Sequence, residues 1–356
     1  MFALRSLRRL IVHVANIPYH VIMILVALHM TVSYALLSLA NETHLVEDVV
    51  TFIYFWVVSS STVGYGDLSP ATQAGKIFVC FMIPTSLLLF SMILTKFGKS
   101  ALHSFNMVQK GMLNLEHKEN HILIMGYKPI RTDEIISLIL SDKSREPRDI
   151  VVVCDEAIDN PFLNRSEIIF CKLEDMINET QVKRCGLKNA HKIIVDGGDD
   201  YTNYVHSARY SRMAPHTHIT TCISNTTLAD DISAAYNNVE VIVDYSEELA
   251  VRAMQDCGTS RVFNEMLDGR VGQNMYSTAI SLPVDATFGD IEKALAESDN
   301  ASLIAIANDP MGKSLQLNPP KSLSLKAGKT YHLHYINAQR INADKCIEML
   351  KEMAFK

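Results

Sequence analysis

Between Leu10 and Gly75 there is no lysine and no arginine. A soluble surface carries charge of both signs at short intervals, so this stretch excludes a water-exposed opening domain. Cysteine pairing is also missing. The seven cysteines, Cys80, Cys154, Cys171, Cys185, Cys222, Cys257 and Cys346, form no CxxC and stand mostly in apolar runs. That excludes a disulfide framework and a zinc knuckle, and fits reduced, buried thiols in a cytosolic part. No nucleophile beside an obvious base and no paired catalytic carboxylates stand out, so the signatures of an enzyme are lacking. A basic surplus is absent too. Residues 1–112 carry seven basic and four acidic side chains, or +3, and the remainder 26 and 35, or −9. An acidic soluble part does not suit nucleic acid.

What the cation-free stretch offers is apolar length. Arg5, Arg8 and Arg9 precede an uncharged run over residues 17–40, long enough to span hydrocarbon and too long for the apolar core of a signal peptide. His20 and His29 inside it read as neutral residues, packed or interfacial. Glu42, Glu47 and Asp48 follow, and the absence of Lys and Arg puts this connection outside, with both termini cytoplasmic. Residues 46–61, VEDVVTFIYFWVVSSS, are too short to cross and predict a re-entrant helix whose Tyr54, Phe55 and Trp56 wedge against its neighbours. A second span follows from about Gln73 to Phe97, ending at Lys96 and Lys99. Pro84 removes a hydrogen bond inside it and favours a bend, static or working, and Gly98 offers a flexible point at its end.

Between the spans lies Thr62-Val63-Gly64-Tyr65-Gly66-Asp67. A cation stripped of water needs oxygen in its place, and consecutive carbonyls from symmetry-related loops supply it. Gly64 and Gly66 suit backbone angles that a β-carbon opposes. These six residues resemble the filter signature of potassium channels. The resemblance implies K+ contacts at the Thr62 hydroxyl and at the carbonyls of Thr62, Val63, Gly64 and Tyr65, with Gly66 closing the filter. It also implies a homotetramer in the cell inner membrane, lipid around it, and Ser86 near the place where relatives carry a hinge glycine.

From Asn120 onward, short apolar runs at 121–126, 149–155, 167–172, 192–197, 218–224 and 239–244 alternate with amphipathic segments. They predict buried parallel strands in a doubly wound sheet. The arrangement resembles the RCK domain, the regulator-of-conductance module fused to many potassium channels. The expected organisation is an α-helical two-span pore domain (1–99), a linker (100–118), a Rossmann-like α/β lobe (119–245), a helical crossover for dimerisation (246–275) and a smaller α/β C-terminal lobe (276–356). By the same resemblance, RCK domains dimerise and join in a gating ring. Soluble extra copies started at Met107 or Met112 would complete its count.

The regulatory ligand is left open between a divalent cation and an adenine nucleotide. After the first strand, Gly126-Tyr127-Lys128-Pro129-Ile130-Arg131 keeps only the first glycine of GxGxxG. Lys128 and Arg131 either meet a phosphate or fill its pocket, and Asp155 stands where a ribose-binding acid would. Asp196 matches one acid of the Ca2+ site of relatives, but Cys222 and Ser224 replace its two partners. Asp199 with Asp200, and Asp230 with Asp231, read as helix N-termini. His216 with His218, and His332 with His334, are two-residue spacings that put ligands on one strand face without a third. The expected function is a K+-selective channel, not an enzyme, gated by ligand at its RCK domains. The alternative is a regulatory nucleotide-binding subunit of a K+ uptake system, which should lack its own filter.

Overall fold

The computed structural model describes residues 17–142, 145–270 and 272–354; Arg5, Arg8 and Arg9 lie outside them. The chain forms two compact units, Met1–Met107 and Val108–Lys356.

The first unit is helical. Helix α1 spans Tyr19–Leu39, α2 Val49–Ser60 and α3 Gln73–Gln109. α1 buries a single stripe, Ile22, Val26, Ser33 and Leu37. Only 22% of its most apolar window is buried, and 17% of that of α3. A core helix of a soluble protein is covered all round, whereas these two are apolar on faces that no part of the unit covers. Both are long and apolar enough to cross a bilayer. Where they meet, Leu37, Leu45, Phe52, Phe55, Trp56, Val79 and Met82 pack together. In hydrocarbon such packing holds by shape and dispersion, since apolar burial gains nothing over lipid.

Two caps fix the hairpin. Asp48 accepts from the Val50 and Thr51 amides and starts α2. Glu42, fully buried, accepts from the amides of Ala71 and Thr72 at 3.0 and 2.8 Å and from the Thr72 hydroxyl at 2.7 Å. It thereby serves orphan donors at the entry to α3. Gly75 makes room for it, because a β-carbon there would stand 2.0 Å from Glu42 Oε1. α3 does not stop at Phe97 as the sequence suggests but continues to Gln109 with Pro84 inside it.

The second unit opens with a six-stranded sheet at the six expected runs: β1 Ile122–Met125, β2 Ile150–Cys154, β3 Ile168–Lys172, β4 Lys192–Val195, β5 His218–Cys222 and β6 Val239–Ile242. Every pairing is parallel, in the order β3-β2-β1-β4-β5-β6. Helices α4 (Pro129–Ser141), α5 (Glu179–Lys183), α6 (Asp200–Met213) and α7 (Thr226–Ala235) connect them. Strands β1 and β2 contribute to apolar clusters on both sheet faces, which is why they read as unbroken apolar runs. The amphipathic segment at 179–187, ETQVKRCGL, has the spacing of a helix but forms one only over Glu179–Lys183. Gly186, at φ +73°, turns the chain beneath the Leu115 carbonyl.

Residues before β1 are fastened to this sheet. Gln109 O accepts from Asn160 N at 2.7 Å, Gly111 O from Lys172 N at 2.7 Å, and Leu115 N donates to Arg184 O at 2.8 Å. The chain then passes through α8 (Ser246–Gln255) and α9 (Thr259–Leu267), neither of which buries a residue. The last lobe holds β7 Asn274–Ser281, β8 Ala286–Thr287, α10 Phe288–Asp299, β9 Ser302–Ala307, β10 Gln316–Leu317, β11 Ser324–Leu325, β12 Thr330–Asn337 and α11 Ala343–Ala354. Its main sheet is antiparallel, ordered β10-β9-β12-β7.

Candidate functional site

The loop after α2 has an alternating backbone. Thr62, Gly64 and Gly66 take φ of +61°, +56° and +80°, while Val63 and Tyr65 between them do not enter that region. A regular strand sends successive carbonyls to opposite sides, and alternating handedness brings them to one. The amides show the other half of the arrangement. Val63 N and Gly64 N both donate to Val58 O, at 3.1 and 3.3 Å, near the C-terminal end of α2. That end carries the negative pole of the helix dipole and favours a cation nearby. Nothing lies within 4 Å of a β-carbon placed on Gly64 or Gly66, so both are glycine for conformation alone. Thr62 is the departure from expectation, a β-branched residue in a region that normally excludes it.

Side chains brace the loop. Tyr54 donates to Asp67 Oδ2 at 2.6 Å, tying α2 to the far end of the loop. Trp56 Nε1 donates to His29 Nδ1 at 3.0 Å. An indole N–H can only donate, so His29 Nδ1 carries no proton and the ring is neutral with its hydrogen on Nε2. Nε2 donates in turn to Thr85 Oγ1 at 2.9 Å, and Thr85 donates to Phe81 O at 2.9 Å, one turn below the Pro84 interruption. Ser86, buried, donates to Ile83 O at 2.9 Å. His29 is thus packed and neutral as its setting suggests, but it also joins all three helices. Sequence reasoning missed this link, as it missed Glu42, since the partners stand tens of residues apart. Gly98 sits inside α3 with open space around it.

A second constellation lies at the C-terminal ends of β1 and β4, where the connections leave for opposite sides of the sheet. Asp196, just past β4 and only 5% exposed, receives Arg131 Nε on one oxygen and Lys128 Nζ, at 3.4 Å, on the other. Lys128 also reaches Gly198 O at 3.2 Å, and Arg131 reaches Cys222 Sγ at 3.4 Å. Burial pushes the Cys222 thiol up, with the Asp196 charge adding to it. Both cations thus pair with the acid across the crevice while staying partly exposed. Gly126 is glycine because its φ is +110° and a β-carbon would stand 2.0 Å from Gly197 Cα. Asp155 is exposed at the end of the neighbouring strand.

Asp199 caps α6 through Thr202 N, and Asp200 accepts from Ser224 N and Asn225 N at 3.1 and 2.7 Å, so both carboxylates hold backbone. Asp230 and Asp231 stand within α7 rather than at its start. Among the described residues no three His, Cys, Asp or Glu side chains are placed to hold a metal ion.

Residues 21–102 match the family described as "Ion channel". The chain is 29% identical over 94 residues to the voltage-gated potassium channel Kch of Escherichia coli (strain K12), covering 26% of this chain and 22% of Kch. It is 33% identical over 151 residues to potassium channel K1 of Plasmodium berghei (strain Anka), covering 42% of this chain and 7% of that one. The chain thus spans less than a quarter of the length of either relative. Among solved structures it resembles the GsuK channel bound to NAD, at 16% identity and a TM-score of 0.41, over 92% of this chain and 57% of that one.

Proposed function

With its membrane hairpin matched to the ion-channel family, we propose that this chain is the subunit of a K+-selective channel, assembled as a homotetramer and gated by its α/β unit. The observation that carries the reading is the alternating handedness at Thr62, Gly64 and Gly66, with the Val63 and Gly64 amides donated back to α2. Four such loops around an axis present stacked rings of carbonyls from Thr62, Val63, Gly64 and Tyr65, with the Thr62 hydroxyls below. Tyr65 and Val63 are 71% and 54% exposed in one chain. Neighbouring copies would cover them, and the packing would hold the ring diameter.

The pore lies in the cell membrane with both termini cytoplasmic. K+ is substrate, and no chemistry is performed on it. Gating follows from the fastening of residues 109–115 to the sheet. Pro84, Ser86 and Gly98 are the places where α3 can bend in response. A regulatory ligand biases opening only by its difference in affinity between two arrangements. At the crevice of Lys128, Arg131 and Asp196, an adenine nucleotide phosphate would compete with Asp196 for the two cations, whereas a divalent cation would compete with them for Asp196. RCK dimers, in a ring completed by soluble copies from Met107 or Met112, would carry the change between those arrangements.

The test is K+ efflux from proteoliposomes holding the purified chain. Wild type releases K+ and retains Na+. Gly64→Ala, which forces a β-carbon into positive φ, abolishes release while the oligomer remains intact in detergent. Equal K+ and Na+ release by wild type overturns the proposal.

A further inference from the structure

Three segments of the α/β unit, the loop after α4, the start of β4 and the segment after β12, bring Arg145, Lys192 and Arg340 to one cavity of about 450 Å³. Its walls are apolar, from Ile122, Leu138, Ile139, Met266 and Tyr276. Ile122 and Lys192 open β1 and β4 and are register partners, so the cavity lies at the edge of the sheet opposite the Asp196 crevice. We infer that it binds a small organic phosphate monoester, the dianion held by Arg145, Lys192 and Arg340 and the apolar body laid against the walls.

The positive charge here is uncommitted. Arg148 pairs with Glu146, and Arg270 with Glu134 and Asp268. Arg145, Lys192 and Arg340 have no ion-pair partner among the described residues. Arg145 Nη1 is closed off from water and has no hydrogen-bond partner. A guanidinium nitrogen left so is costly, and a phosphate oxygen is the acceptor that suits it. Arg340 is held ready. Its Nη1 donates to Ser277 O at 3.2 Å and its guanidinium carbon stands 5.1 Å from the centre of the Tyr276 ring, which leaves the rest of the fork for a ligand.

The surroundings select both the place and the class. Arg145 also borders a depression lined by Glu119, Asp149 and Glu167, and those acids repel an anion. The adjoining cleft shares Lys192 and Tyr276 but holds Glu240, and its His216 lies in the turn before β5 rather than on the strand its spacing suggested. In the cavity itself the acid is Asp142, which has a partner of its own. Asp142 and the C-terminal pole of α4 keep the affinity moderate. Three cations from separate segments suit a dianion better than a single carboxylate, and bare phosphate would leave the walls wet. Mostly apolar walls with a few converging polar groups are the usual form of a small-molecule site of this size.

The test is calorimetric and independent of any K+ flux. The full chain purified in detergent is titrated with phenyl phosphate and with inorganic phosphate. One phenyl phosphate per chain is expected, with inorganic phosphate weaker by about tenfold. Arg145→Gln and Arg340→Gln each weaken phenyl phosphate binding by about tenfold or more, with circular dichroism unchanged. Arg340→Lys recovers part of that loss, and Lys321→Gln, exposed on the last lobe, has no effect. No saturable heat in wild type, the result if a neighbouring copy fills the cavity, overturns the site. Wild-type affinity in Arg145→Gln/Arg340→Gln, with binding lost instead in Lys128→Gln/Arg131→Gln, puts the phosphate at the Asp196 crevice and overturns it equally.

Discussion

At the residue scale, the least expected backbone angle in the proposed filter loop is that of Thr62. A β-branched residue at φ +61° costs about 1–3 kcal/mol relative to an ordinary backbone and is retained where surrounding structure over-determines it. Gly64 and Gly66 were legible in the sequence because glycine is the residue that such angles select. Thr62 was legible as a member of the loop, but its positive φ was not, because propensity argues against that angle at a β-branched residue. Glu42 was counted only as an outward charge. Its role depends on Ala71, Thr72 and Gly75, about thirty positions away, and no local pattern reports that. Glu42→Ala removes the acceptor that the amides of Ala71 and Thr72 share, which costs about 0.5–1.5 kcal/mol per bond and lowers the thermal midpoint of the oligomer in detergent. Burial pushes the Glu42 carboxyl up, but the bonds from Ala71 and Thr72, aided by His44, outweigh it and hold it below the usual range. Its stabilisation is therefore complete above the ordinary carboxylate pKa and fades as pH falls through the lowered folded value. Melting followed across acidic pH should show that loss in wild type and not in Glu42→Gln.

At the element scale, the six parallel strands were plain because strands buried on both faces read as short apolar blocks. Helix ends were not. Past Phe97 the residues KSALHSFNMVQ lose the apolar density of a span while keeping good helix formers, so α3 persists to Gln109. ETQVKRCGL has helical spacing, yet Gly186 and the packing of Leu115 break it. Pro84 is the element-level lever. Pro84→Ala returns an N–H to the carbonyl one turn back and removes the reason for a bend. Single-channel recording should show open probability changed severalfold with reversal potential unaltered. An unchanged open probability would make the proline a static feature. Gly111, at φ +62° with a β-carbon position 2.7 Å from Phe170 Cδ1, is the matching lever at the other end. Gly111→Val should unfasten residues 109–115 and weaken ligand-dependent gating while leaving conduction intact.

At the scale of the whole molecule, the exposed apolar residues fall into two classes. Those on α1 and α3 suit lipid. Those on α8 and α9, among them Met254, Val262 and Leu267, suit another copy of the same helices, as the expected dimer of α/β units requires. Neither class was legible from composition alone, since an apolar residue in the sequence does not announce what will cover it. The crevice proposed to take a regulator was less legible still. The glycines of a nucleotide loop were missing from the sequence, and only the fold showed that Arg131 and Lys128 turn inward to Asp196.

All of this rests on a queue of backbone oxygens, contributed by several identical loops, that accepts K+ in place of its water. The most direct measurement is the bi-ionic reversal potential of the purified chain in a planar bilayer, K+ on one side and Na+ on the other. Currents that reverse near the K+ equilibrium potential, and that move toward zero in Tyr65→Asp, are the predicted result. A wild-type reversal near zero, or one that Tyr65→Asp leaves untouched, would contradict the account.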